Sequence, residues 1–181
     1  QYRKDRLRSD VQTTTVSQTS KESTMSLQIT AILAFDLRGN MSEPDGTCLK
    51  TCKSDKQRFK ALTSQPETAC VIGAKTWECD FRKSVPSGRD FFVFKREDDA
   101  GKLIAQITEL GFKRIYIIGG IATYNAFFEH TEFVDYSMIK KMSEHEARHK
   151  NTDLRFYPTI AHDILLNVAS KVNPNCVETH W

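Results

Sequence analysis

No apolar run in this chain reaches the roughly 20 residues that a membrane-spanning helix needs. Charge of one sign is scarce as well. The 26 Lys and Arg nearly balance the 23 Asp and Glu, and a formal net charge of +3 does not by itself point to nucleic acid. Cysteine is sparse and odd in number: Cys48, Cys52, Cys70, Cys79 and Cys176 fall at irregular spacings with no CxxC pair. That excludes an evident disulfide framework or zinc knuckle and reads as free thiols of a reducing compartment. His145 and His149 stand four apart, but no third ligand or general base accompanies them, so no metal is expected.

What is present divides in two. Residues 1–24 are rich in Ser, Thr, Gln and Arg and carry no repeating apolar pattern. Such a segment does not bury enough surface to offset its ordering entropy. It is expected to be disordered or bound to an assembly partner. It lacks the apolar core of a secretory signal, and Arg3, Lys4, Arg6 and Arg8 give it a weak organelle-targeting look that Asp5 and Asp10 oppose. The expected compartment is the cytoplasm, with a mitochondrion or another organelle as the alternative. The first residue is Gln rather than Met, so the chain is read as a fragment or a processed product.

Residues 25–181 form the expected domain. The apolar run over 25–36 predicts a strand buried on both faces of a mainly parallel sheet. Residues 37–51, with Gly39, Pro44 and Gly46, are a loop. Residues 53–62 read as a helix in which Phe59 and Leu62 share a face, with Asp55 on that inward face. Asp55 is either an N-terminal capping acid or a carboxylate turned toward apolar neighbours, which is costly unless paired. Further strands are predicted over 69–73, 91–94, 114–118 and 134–139. Helices are predicted over 103–110, with Leu103, Ile107 and Leu110 on one face, and over 123–128. Residues 164–172 and 176–181, flanking Asn173-Pro174-Asn175, carry a hairpin signal. Alternation of this kind predicts an α/β domain with right-handed crossovers and a closing antiparallel hairpin. Gly73 and Gly119-Gly120 end strands where ligands collect, a pattern that suits either phosphate binding or close packing.

Taken together these pieces resemble the dihydrofolate reductase family over residues 25–181. Val71-Ile72-Gly73-Ala74-Lys75-Thr76-Trp77 is similar to its I-M-G-x-K-T-W segment, with Asp55 and Phe59 at the right distance before it. Ser87-Gly88-Arg89 with the following strand resembles P-x-G-R, and Ile118-Gly119-Gly120 with Tyr124 resembles I-G-G-x-x-x-Y. Residues 153–158 resemble D-T-x-F-P. The resemblance implies a dihydrofolate reductase-like fold and reduction of dihydrofolate by hydride transfer from NADPH. It implies Asp55 as the catalytic, pterin-binding acid, and substrate contacts at Ala31, Phe59, Arg89 and Ser137. It implies cofactor contacts at Gly73, Lys75, Thr76, Lys95, Arg96, Gly119, Gly120 and Tyr124.

Three positions depart from the pattern. The loop over 40–48 has no Trp, Ile121 replaces the small residue after the glycine pair, and Ala74 stands where a basic residue is common. Two alternatives follow. One is a related pyrimidine reductase of riboflavin synthesis, to which Asp36-Leu37-Arg38-Gly39 is faintly similar. The other is a catalytically reduced subunit serving as a structural module that docks through its tail.

Overall fold

The computed structural model describes residues 26–81, 86–144, 146–168 and 177–179. The polar tail lies outside them. Six strands form one sheet: β1 (Gln28–Asp36), β2 (Thr68–Gly73), β3 (Asp90–Phe94), β4 (Arg114–Ile117), β5 (Phe133–Ile139) and β6 (Val177–Thr179). Their order is β3-β2-β4-β1-β5-β6. The first five are parallel, and β6 runs antiparallel to β5. Helices α1 (Lys53–Thr63), α2 (Ala74–Thr76), α3 (Ala100–Glu109), α4 (Ile121–Ala126) and α5 (Tyr157–Val168) make the connections. The mainly parallel α/β class is thus what the alternating apolar runs imply.

Strand periodicity divides the core. Ile29, Ala31, Leu33 and Phe35 of β1 pack with Ile115, Ile117, Val71 and Tyr136 beneath Ile107 of α3, Tyr124 of α4 and Ile160 of α5. Ile32, Cys70, Ile72, Tyr116 and Ile118 face the other way and meet Phe59 and Leu62 of α1 and Trp77. Each such aliphatic or aromatic side chain, fully buried, contributes about 1.5–3 kcal/mol. Leu110 departs from its expected place. It follows the last turn of α3 and is exposed, while Leu103 and Ile107 pack inward.

The closing hairpin requires correction. Ile164 belongs to α5, and the helix continues to Val168. Residues 169–176 lie outside the described residues. The last strand pairs with β5 through Ser137↔Glu178, so its antiparallel partner is the sheet. Ile160 and Ile164 stand four residues apart and both pack on the core that α3 shares, which gives the segment a reason to be helical.

Asp36, at the end of β1, fixes the loop that follows. Its carboxylate accepts hydrogen bonds from the amides of Arg38 (2.8 Å), Asn40 (2.9 Å) and Ser143 (3.3 Å) and from Asn40 Nδ2 (3.0 Å). Burial pushes its pKa up. The bonds from Asn40, Ser143 and Arg38 more than offset this, and the net displacement is downward. A depressed folded-state pKa contributes stability that is present above the unfolded value of about 3.9 and is lost as pH falls through the folded value. Asp36→Ala is therefore expected to cost about 2–4 kcal/mol at pH 7. In urea titrations repeated down to pH 3, the variant should also lose stability less steeply than the wild type below pH ~4.

Candidate active site

β1 and β4 lie side by side, yet the chain leaves them toward opposite faces of the sheet. α1 packs on the face carrying Ile32 and Ile118, and α4 on the face carrying Leu33 and Ile117. Such a divergence opens a crevice beyond the carboxyl ends of the strands. A cavity of about 960 Å³ occupies it. Its walls come from β1 (Ile32 to Ala34), the loop over 41–51, α1, the Gly73–Thr76 turn, the segment after β3 and the Gly119–Tyr124 turn.

Asp55 is the third residue of α1 and is 7 % exposed. It does not cap the helix. Cys52 is the N-cap, and no side-chain cap bond forms. The carboxylate instead faces the cavity side, where Arg58 Nη2 donates to Oδ1 at 3.1 Å. Arg58 Nη1 donates in turn to Asp135 Oδ1 of β5. The Arg58 side chain is 7 % exposed. Two carboxylates and one guanidinium thus form a buried cluster, in which removing one partner strands a charge. Arg58 and Asp135 escaped the sequence reading. The three-residue spacing from Asp55 to Arg58 was a usable signal, whereas Asp135 lies 77 residues beyond Arg58.

Phe59 lines the cavity one residue further along α1. Arg89 stacks over its ring, with the guanidinium carbon 5.5 Å from the centroid. Arg89 itself does not line the cavity, and its Nε is buried without a partner. Ala31 and Ser137 do not line it either. Both are completely buried in the sheet. Ala31 lies in the core one residue before Ile32, Leu33 and Ala34, the β1 residues that reach the cavity. Ser137 Oγ has no hydrogen-bond partner.

All eight expected cofactor residues line the cavity. The two glycine turns meet there: Gly73 N donates to Gly119 O at 2.7 Å. A Cβ on Gly73 would lie 2.4 Å from Thr123 Oγ1, and one on Gly120 would lie 2.9 Å from Thr76 Oγ1. Gly119 has φ +127°, a region that L side chains rarely adopt. Close packing therefore requires these glycines whatever else the turn binds. Tyr124 is 5 % exposed, and its hydroxyl donates to Ile32 O at 2.6 Å, tying α4 to β1. Burial, reinforced by the neighbouring Cys48 and Asp55, raises its pKa strongly, so the phenol stays neutral. Lys75, Lys95 and Arg96 are exposed and give the rim a cationic edge. Ile121, only partly buried, stands in the wall beside the glycines. Among the described residues no group of three or more His, Cys, Asp or Glu could hold a metal, although His149 reaches the cavity. Nor is any described helix long and apolar enough to cross a membrane.

At the level of sequence, no protein-family model and no curated protein matches the chain. Solved structures do match. One is the diaminohydroxyphosphoribosylaminopyrimidine deaminase/5-amino-6-(5-phosphoribosylamino)uracil reductase of Thermotoga maritima. It is 13 % identical with a TM-score of 0.55, covering 67 % of this chain and 47 % of that one. The chain therefore spans about half the length of that protein. Another is the dihydrofolate reductase of Enterococcus faecalis complexed with NADP(H) and RAB-propyl. It is 16 % identical with a TM-score of 0.50, covering 66 % of this chain and 75 % of that one. The fold is dihydrofolate reductase-like.

Gly73→Ala is expected to destabilise the protein by about 1–3 kcal/mol, because the new methyl overlaps Thr123 Oγ1. Adding Thr123→Ala should recover part of that loss in a chemical-denaturation double-mutant cycle, and strict additivity would show that the overlap is not the cause.

Proposed function

We propose that this protein is an NADPH-dependent reductase that passes hydride to the pterin ring of dihydrofolate. One observation carries the reading. A buried carboxylate, an aromatic side chain and a cationic rim converge on a single cavity at the divergence of β1 and β4. The residues suit the cofactor in donor chemistry: Lys75, Lys95 and Arg96 are cations at the exposed edge, where the 2′-phosphate of an NADP-type cofactor needs them. When bound, NADPH supplies the hydride, and the protein's part is to hold and orient the two rings.

In this reading Asp55 accepts hydrogen bonds from the substrate ring. An ionised acid shielded from water favours protonation of the ring that receives hydride. Phe59 packs against the ring or the group attached to it, and Arg89 holds Phe59 from behind. Tyr124, fixed to Ile32 O, sets the wall against which the nicotinamide lies. Arg89 pairing with a substrate carboxylate requires its guanidinium to reach past Phe59. Ala31 and Ser137, buried in the sheet and outside the cavity lining, make no substrate contact in this reading.

A pyrimidine reductase is the second reading, supported by the likeness to the Thermotoga maritima deaminase/reductase. Both readings require NADPH. Calorimetric titration should detect binding, and its failure would sink both. With dihydrofolate present, loss of 340 nm absorbance favours the first. Asp55→Asn is expected to slow that reaction at least about 100-fold. Lys75→Ala and Arg96→Ala should each weaken NADPH by about tenfold while changing NADH little.

A further inference from the structure

The outer face of α1 has no part in the roles given so far. Asp55, Arg58, Phe59 and Leu62 turn inward, while Lys53, Lys56 and Lys60 are exposed. At about 100° and about 1.5 Å per residue, the three lysines fall within an arc of about 60° and span about 10 Å. Other surface lysines have carboxylates beside them: Lys113 with Glu67, Lys141 with Glu43 and Lys150 with Glu146. Among the described residues none of the three on α1 does. The helix has one acid, Asp55, and Arg58 holds it on the inner side. The stripe also works against the helix that carries it. Lys53 and Lys56 stand in the first turn, at the positive end of the helix dipole, where cations are unfavourable. Lys53 and Lys56, and Lys56 and Lys60, are like charges at neighbouring positions, which disfavours the helix again. Cys52 adds no side-chain cap to offset this. Exposed charges that cost their own helix stability point to something outside the chain.

The surroundings of the stripe narrow the kind of partner. Among the described residues the exposed large apolar side chains are Leu37, Leu110, Phe133, Met142 and Leu165, and none is on α1. The face therefore has no apolar anchor for a lipid surface. Phe59, the one aromatic of the helix, lines the cavity, so the outer face offers no ring on which bases would stack. The exposed residues beside the lysines are Gln57, Ala61 and Ser64, which are uncharged and mostly small. They leave room for a second backbone to approach. Lysines spaced three and then four residues apart meet carboxylates at i, i+4 and i+7 of a helix lying antiparallel, because both helices share one rise per residue. We propose that the outer face of α1 is a docking surface for an acidic helix of a partner protein. Lys56 also lines the cavity, whereas Lys53 and Lys60 do not, so the partner sits beside the cavity mouth. The surface is independent of what the cavity binds.

The test is NMR titration of the isotope-labelled full chain with an Ala-rich helical peptide bearing Glu at i, i+4 and i+7. Amide shifts should centre on residues 53–64 and vanish with a peptide in which Gln replaces Glu. Raising NaCl from about 50 mM to about 300 mM should weaken the binding at least about fivefold. The triple variant Lys53→Gln/Lys56→Gln/Lys60→Gln should weaken it at least about tenfold, yet unfold at the wild-type temperature or above. A lower unfolding temperature makes the lysines part of the fold and overturns the proposal. Absence of shifts overturns it, and so do shifts centred on Lys75, Lys95 and Arg96, which would place the peptide on the cationic rim. Tighter binding at α1 of an oligothymidylate strand or of phosphatidylserine vesicles than of the peptide overturns it in favour of nucleic acid or membrane.

Discussion

The insertion of β4 between β2 and β1 is the constraint on which the rest of the molecule depends. It makes the first strand a neighbour of the fourth, although their following helices pack on opposite faces. The gap left between those helices is the cavity. It does not close because backbone hydrogen bonds fix the strands on its floor and Tyr124 ties α4 to β1 across it. The glycine turns at the ends of β2 and β4 come close enough for Gly73 N to bond Gly119 O. Larger residues at Gly73 or Gly120 would collide with Thr123 or Thr76 and push the turns apart.

The electrostatics follow from this geometry. Asp55 enters from a helix and Asp135 from a strand, and burying a carboxylate is costly unless it is paired. Arg58, long and rigidly forked, spans both. The cluster holds α1 to β5 as well as defining the chemistry at the inner end of the cavity. Structure and site are here the same set of bonds.

Much of the fold was legible in the chain. Parallel strands buried on both faces are written as unbroken apolar runs, and all five were located to within a few residues. The last helix was misread because Ile164, Leu165 and Leu166 form a short apolar run beside Asn173-Pro174-Asn175, and such a run does not distinguish strand from helix. Its four-residue spacing from Ile160 was the better guide. In the site, the glycines, Lys75, Lys95, Arg96 and Tyr124 were placed together by local motifs. Ala31 failed by position along β1: the cavity begins at Ile32, and Leu33, on the same face as Ala31, reaches it where Ala31 does not. Asp135 was invisible because its importance arises only when α1 is laid across β5, whereas the spacing of Arg58 from Asp55 was a signal left unused.

The cavity has a consequence for the direction in which anything enters it. Its inner end carries the buried cluster of two carboxylates and one guanidinium, and its rim carries Lys75, Lys95 and Arg96. The cluster carries one net negative charge, and the rim stays net cationic although Asp98 stands beside Lys95. A long molecule with an anionic terminus and a hydrogen-bond-donating ring lowers its energy in one orientation and raises it in the other.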